Sequence, residues 1–342
     1  MRRFLIILLS VVAAFTPAWG QWQPQESGTV AQLRGISAVS ERVAWASGTK
    51  GTVLRTIDSG KHWEKVGIAG AEALDFRDIE AFDENTAFAL SAGPGEQSRI
   101  YKTTDGGRHW QLQFTNAEPK AFYDCLAFWD RNHGIALSDS VDGRFLLLST
   151  SDGKTWSPLR SRELPAALAN EGAFAASGTC ITTFGKNDVW FATGGPAARV
   201  FHSGDRGQTW TVSETPILSG APSQGIFSIS FWNRSEGVIV GGDYKEPSRA
   251  EKIAAFTRDG GKTWALATKG PAGYRSAVAV NPGSSPLLLI AAGTSGSDYS
   301  RDGGKNWYPL DRSEYNSVSL VARLGWAVGP KGKIVHFPGI WF

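Results

Sequence analysis

Residues 257–264 read TRDGGKTW, which places a hydroxyl, a carboxylate, two glycines, a lysine and a tryptophan in one octapeptide. Taken alone, the stretch could be a catalytic loop, with Asp259 as a base beside a glycine-rich phosphate cradle. The rest of the chain excludes that reading, because the pattern recurs. TIDSGKHW ends at Trp63, TTDGGRHW at Trp110, SGDRGQTW at Trp210 and SRDGGKNW at Trp307, and a copy one residue shorter, TSDGKTW, ends at Trp156. A catalytic base is needed once, so a motif present six times is architecture.

Counted between the tryptophans, the boxes are spaced 47, 46, 54, 54 and 43 residues apart, the period of a β-propeller blade of four strands. Each repeat has the same internal order. An apolar run such as CLAFWD or FSISFWN is followed by a polar turn, and then by a run ending in glycine or a small residue (VAWASG, VWFATGG, GVIVGGD, GWAVG). A third run, TVLRT or RVFHS, enters the box, and a fourth starts at its tryptophan. Short runs rich in Val, Ile, Phe and Trp between Gly/Asn/Asp turns read as antiparallel strands. Helical periodicity is confined to SRELPAALAN, residues 161–170. Within each box the carboxylate (Asp58, Asp105, Asp152, Asp205, Asp259, Asp302) is placed to accept N–H groups of the hairpin turn. The glycine after it permits positive φ, the preceding Thr or Ser bonds locally, and the tryptophan is expected to be buried against the next blade.

Six boxes do not close a ring. After Trp307 come YNSVSLVA, LGWAVGP and GKIVHFPG, three strands and no box; before LRGISAVS stands QWQPQES, with Trp22 where a box tryptophan belongs. Three strands from one terminus and one from the other complete a seventh blade and remove the exposed sheet edges. The sequence therefore predicts an all-β, seven-bladed propeller of four-stranded antiparallel blades, as a single domain over residues 21–342.

Residues 1–20 read as a signal peptide: Arg2 and Arg3, the apolar run FLIILLSVVAAF and the small-residue stretch AWG before Gln21. The apolar run is too short for a confident membrane span. Removing the segment takes two positive charges from a formal net charge of +3, leaving +1. That balance points away from nucleic acid or an anionic membrane as partner. Cys125 and Cys180 remain in a chain whose expected compartment permits disulfides. They fall on neighbouring repeats, where inner strands can be too far apart to bridge. Two buried thiols is the plainer reading and a disulfide the alternative. The five histidines are scattered, no metal-ligand spacing occurs, and the glycine-rich GPGEQ and GTSGSD lie in hairpins with no following helix. No cofactor and no metal are expected.

The residues that carry the repeat resemble the bacterial-neuraminidase-repeat, or Asp-box, superfamily of propellers. The blade count, the GWAVG strands and the TxDGGKTW boxes look most like the photosystem II assembly and stability factor family. This resemblance implies a non-catalytic, exported scaffold that binds a protein partner, periplasmic or extracellular, and lumenal in a photosynthetic host. The alternative within the superfamily is a glycoside hydrolase or carbohydrate-binding propeller. Sialidases use three arginines, but here LRGIS stands in place of their Arg-Ile-Pro motif, and the arginines fall on blades one, two and six. The chain is expected to be monomeric.

Strand order places a candidate site on the face opposite the boxes. Aligned blades put Arg34, Arg77, Asp124, Thr179, Phe227, Arg275 and Tyr315 at one level, just inside each first strand. The second-to-third-strand turns add Asp139, Asp243 and Tyr244, and the long inter-blade loop of residues 161–180 adds Glu171. Four carboxylates and three arginines around one channel make a candidate ligand- or partner-binding cluster. Two carboxylates about 5 to 10 Å apart would suit glycoside hydrolysis.

Overall fold

The computed structural model describes residues 22–281 and 287–339. The expected signal segment lies outside the described residues. The strands form seven sheets of four antiparallel strands, the fifth sheet gaining the two-residue strand Gly194–Gly195. The innermost strands are Leu33–Ala38, Phe76–Ala81, Tyr123–Asp130, Ile181–Phe184, Ala221–Phe231, Ala277–Asn281 and Ser317–Val321, each the first of its blade. In the seventh blade, Ser317–Val321, Leu324–Val328 and Ile334–Phe337 are completed by Gln23–Gln25, which pairs antiparallel with Ile334–Phe337. The N-terminal strand thus closes the ring, as the sequence predicts.

Each box carboxylate does turn chemistry. Asp259 Oδ1 accepts the Thr257 hydroxyl at 2.8 Å and the Thr263 N–H at 2.9 Å, while Thr257 Oγ1 accepts the Gly261 N–H at 3.0 Å. The same threonine- or serine-to-carboxylate bond recurs at Asp58, Asp105, Asp152, Asp205 and Asp302. Gly261 has φ +88°, a conformation glycine adopts without steric cost.

Among the described residues seven apolar clusters fill the spaces between blades, and each includes or packs against one tryptophan from a box or its equivalent. Trp110, Trp210, Trp264, Trp63, Trp156 and Trp307 occupy six of them, and Trp22 the seventh. The direction corrects the expectation: each tryptophan packs on the preceding blade, not the next. Trp110 Nε1 donates to the Val66 carbonyl of blade one at 2.9 Å, Trp156 to Gln113 of blade two at 3.1 Å, and Trp63 to Gln25 of blade seven at 3.0 Å. The indole leaves at the start of the outer strand, on the side that faces back along the chain.

Residues 161–170 form no helix; among the described residues the only helical segment is the turn Gly95–Gln97. Pro165 interrupts the expected helix. The loop is held extended by Arg162 N–H to the Gln208 carbonyl at 2.9 Å and Ala167 N–H to the Gly143 carbonyl at 3.0 Å. Leu164 and Ala167 face the cluster between blades three and four.

Candidate functional site

A cavity of about 610 Å³ opens where the inner strands begin. Its residues are positioned by backbone irregularity. In blades one, two, three and five the pairing of the first strand with the second slips by one residue. The slips lie between Leu33 and Gly35, Phe76 and Asp78, Tyr123 and Cys125, and Ile226 and Ser228. The unpaired residue of each bulge is Arg34, Arg77, Asp124 or Phe227, and all four line the cavity. A bulge re-aims a side chain that regular pleating would place elsewhere.

The other three residues of that level turn away. Arg275 is 1% exposed, and its guanidinium is consumed by Asp298, the Tyr274 carbonyl at 2.7 Å and Ser295 Oγ at 2.7 Å. Its neighbour Tyr274 lines the cavity instead. Tyr315 is buried with its hydroxyl donating to Asp311 at 2.7 Å, and Thr179 Oγ1 lies 2.7 Å from Ser228 Oγ. Glu171 is also buried. It takes Arg199 Nε at 2.8 Å and Nη2 on separate oxygens, and accepts the Thr193 hydroxyl at 2.6 Å and the Leu168 N–H at 2.8 Å. Asp243 accepts Gln224 Nε2 at 3.0 Å and the Lys245 N–H at 2.9 Å. Burial raises its pKa, but these hydrogen bonds, with those from the Ser223 hydroxyl and the Glu246 N–H, together prevail and hold it below the ordinary value. Asp139 and Tyr244, by contrast, line the cavity.

The cavity therefore has a basic and an acidic pole. Arg77 Nε donates to Asp75 Oδ2 at 2.8 Å, and Arg34 Nε lies 3.9 Å from the same oxygen. Asp75 stands outside the level that repeat alignment picks out; its only signal in the sequence is a carboxylate two residues before Arg77 in LDFRD. At the other pole burial, and then the negative charge of Asp139, push the Asp124 carboxyl well above its ordinary pKa, against the opposing charge of Arg77. Burial raises Asp139 to about 6, against the N–H that Ala173 donates to Oδ1 at 2.8 Å. Phe174 stacks on Phe227 at 3.8 Å, and Tyr274 meets Phe227 edge-on at 4.8 Å.

The floor is a plug. Residues 172–176 line the cavity, while Ser177, Gly178 and Thr179 line a second hollow on the far side. Ser177 Oγ donates to the Ser276 carbonyl of blade six at 2.8 Å, and its own carbonyl accepts Ser317 Oγ of blade seven at 3.1 Å. Gly178, at φ +77°, lies so close to the Asp78 carboxylate of blade two that any Cβ would collide with it. The loop between blades three and four thus crosses the channel and divides it. Cys180, at its end, is joined to Cys125 by a disulfide with a Cα–Cα distance of 6.1 Å. This overturns the reading of two thiols. Cys180 stands just before the strand Ile181–Phe184, where the chain bends out of the plug and approaches the bulge beside Cys125.

No family model matches the chain, and no curated protein does. Among solved structures, YCF48 bound to a D1 peptide aligns with a TM-score of 0.65 at 15% identity, over 94% of this chain and 99% of that one. YCF48 from Cyanidioschyzon merolae gives 0.63 at 18%, over 93% and 98%. U3-55K gives 0.64 at 13%, over 93% and 98%. These likenesses are of fold.

Proposed function

We propose that this propeller is a non-catalytic scaffold that receives a segment of a protein partner at the cavity face, and that it works after export. The observation that carries the reading is the cavity itself. Bulges aim Arg34, Arg77, Asp124 and Phe227 into an open mouth on a rigid ring, so little ordering is needed on binding, and guanidinium groups hold carboxylates of a partner with directional bonds. YCF48, a neighbour in fold, has been solved with a D1 peptide, and the boxes resemble those of the photosystem II assembly factors. The basic and apolar opening of the sequence and the Cys125–Cys180 disulfide favour an oxidising compartment. Among the described residues no helix is long and apolar enough to cross a membrane.

A random peptide library displayed on phage and panned on the full chain and on Arg34→Ala/Arg77→Ala tests the reading. Peptides enriched on the wild type should lose at least tenfold in affinity on the double variant. Failure to enrich any peptide, or equal binding to both proteins, would refute it. A carbohydrate-directed reading has one observation in its favour, the Asp124–Asp139 pair with both carboxyls raised. Turnover of aryl-glycosides that is lost in Asp124→Asn would establish it in place of the scaffold.

A further inference from the structure

The carboxyl groups around the cavity outnumber the guanidinium groups. Arg34 and Arg77 face Asp75, Asp124 and Asp139. Asp75 already lies against both arginines, and no further charged side chain lines the cavity among the described residues. Asp124 is 1% exposed and borders the open space, yet no donor reaches its Oδ2. Buried carboxyl oxygens are nearly always hydrogen-bonded, and leaving one unmet is costly. Asp139 beside it has committed Oδ1 to the Ala173 N–H. The missing component is a donor, and a cationic one would offset the burial and the Asp139 charge that disfavour the ionised Asp124 carboxylate. The walls agree: Phe122, Phe174, Phe227, Tyr244 and Tyr274 surround the same space, and aromatic faces attract organic cations. Among the described residues no group of three metal-ligating side chains occurs, so the donor set suits an N–H cation better than a metal.

We infer that the Asp124–Asp139 end of the cavity is a subsite for a guanidinium or alkylammonium group, an arginine or lysine side chain of the bound segment. The inference rests on the peptide-binding reading and deepens it: the partner presents a basic residue to the acidic pole and an acidic group to Arg34 and Arg77. A segment carrying both signs a few residues apart fits, whereas a uniformly acidic one leaves Asp124 unmet.

The test titrates the full chain with N-acetyl-arginine methylamide, N-acetyl-lysine methylamide and the uncharged isostere N-acetyl-citrulline methylamide, followed by amide NMR. At least one cationic probe should shift Gly172, Ala173 and Ala175 saturably, with citrulline at least tenfold weaker. Asp124→Asn/Asp139→Asn should abolish that difference, and the milder Asp139→Asn should reduce it several-fold while the fold is kept. Citrulline binding as well as the cations, or no probe binding at all, overturns the inference. Display of peptides with no probe binding counts against this inference alone; probe binding without displayed peptides counts against the scaffold alone.

Discussion

Replacing Trp22 by alanine tests whether the N-terminal strand is part of the ring or an appendage to it. The indole is 9% exposed, lies 5.6 Å from the Tyr315 ring and 5.4 Å from the Phe337 ring, and donates to Ser297 Oγ at 3.0 Å. Truncating a buried tryptophan costs about 3 to 5 kcal/mol. Two features favour the lower end. The site opens to solvent at one edge, and Ser297 keeps its bond to Asp311 at 2.7 Å, so no buried hydroxyl is orphaned. With an unfolding entropy of about 2.1 cal/mol/K per residue over roughly 310 residues, 3 kcal/mol corresponds to a fall in Tm of about 5 °C. Thermal and urea melts of Trp22→Ala would be compared with Trp307→Ala, a fully buried box tryptophan. Hydrogen exchange should show lost protection in Ile334–Phe337 and also in Leu324–Val328. If Trp22→Ala melts within 1 °C of wild type while Trp307→Ala falls by several degrees, the closure argument is wrong.

Cys125→Ser/Cys180→Ser removes a cross-link spanning 55 residues, worth about 4 kcal/mol on the chain-entropy model. Its melt should fall by several degrees, and amide exchange should rise first in residues 172–179; unchanged exchange there would dissociate the disulfide from the plug. Arg199→Ala leaves the Glu171 carboxylate buried without its charge partner, which costs about 3 to 5 kcal/mol, and should leave probe binding at Asp124 intact if the protein folds. Asp139 has a folded pKa of about 6 against an ordinary 3.8, so the folded state holds its proton more tightly. That stabilisation is complete below about pH 4 and lost as pH rises through 6. Urea melts of Asp139→Asn and wild type should therefore diverge in favour of the variant across that window; parallel curves would show that the carboxyl does not titrate there.

The blades were legible because a turn needs particular atoms. Thr257, Asp259 and Gly261 must be those residue types at those separations, and six repetitions removed the ambiguity of one. The level of Arg34, Arg77 and Asp124 was also legible, since repeat alignment finds equivalent backbone positions. It could not tell which side chains at that level look into the cavity, because orientation depends on a bulge in four blades and on local partners in the rest. Asp298 claims Arg275 and Arg199 claims Glu171 from strands 23 and 28 residues away, and no pattern in a single chain announces such pairs. The plug was hidden for a different reason. Residues 172–179 have no period, and their bonds to Ser276 and Ser317 are tertiary choices of small residues.

The pairing of Gln23–Gln25 with Ile334–Phe337 also sets a timetable. The first described strand to leave the ribosome must wait for the last, and at about 5 to 20 residues per second that interval is roughly 15 to 60 s. Throughout it Trp22 has no pocket, because Tyr315 and Phe337 do not yet exist, and the inner strand of blade one lacks its neighbour Ser317–Val321. A chain halted before Ile334 would carry two open flanks at once, one at each side of the gap, and both are rich in β-forming residues. Until the last strand arrives, those two flanks are sheet edges open to pairing with another copy.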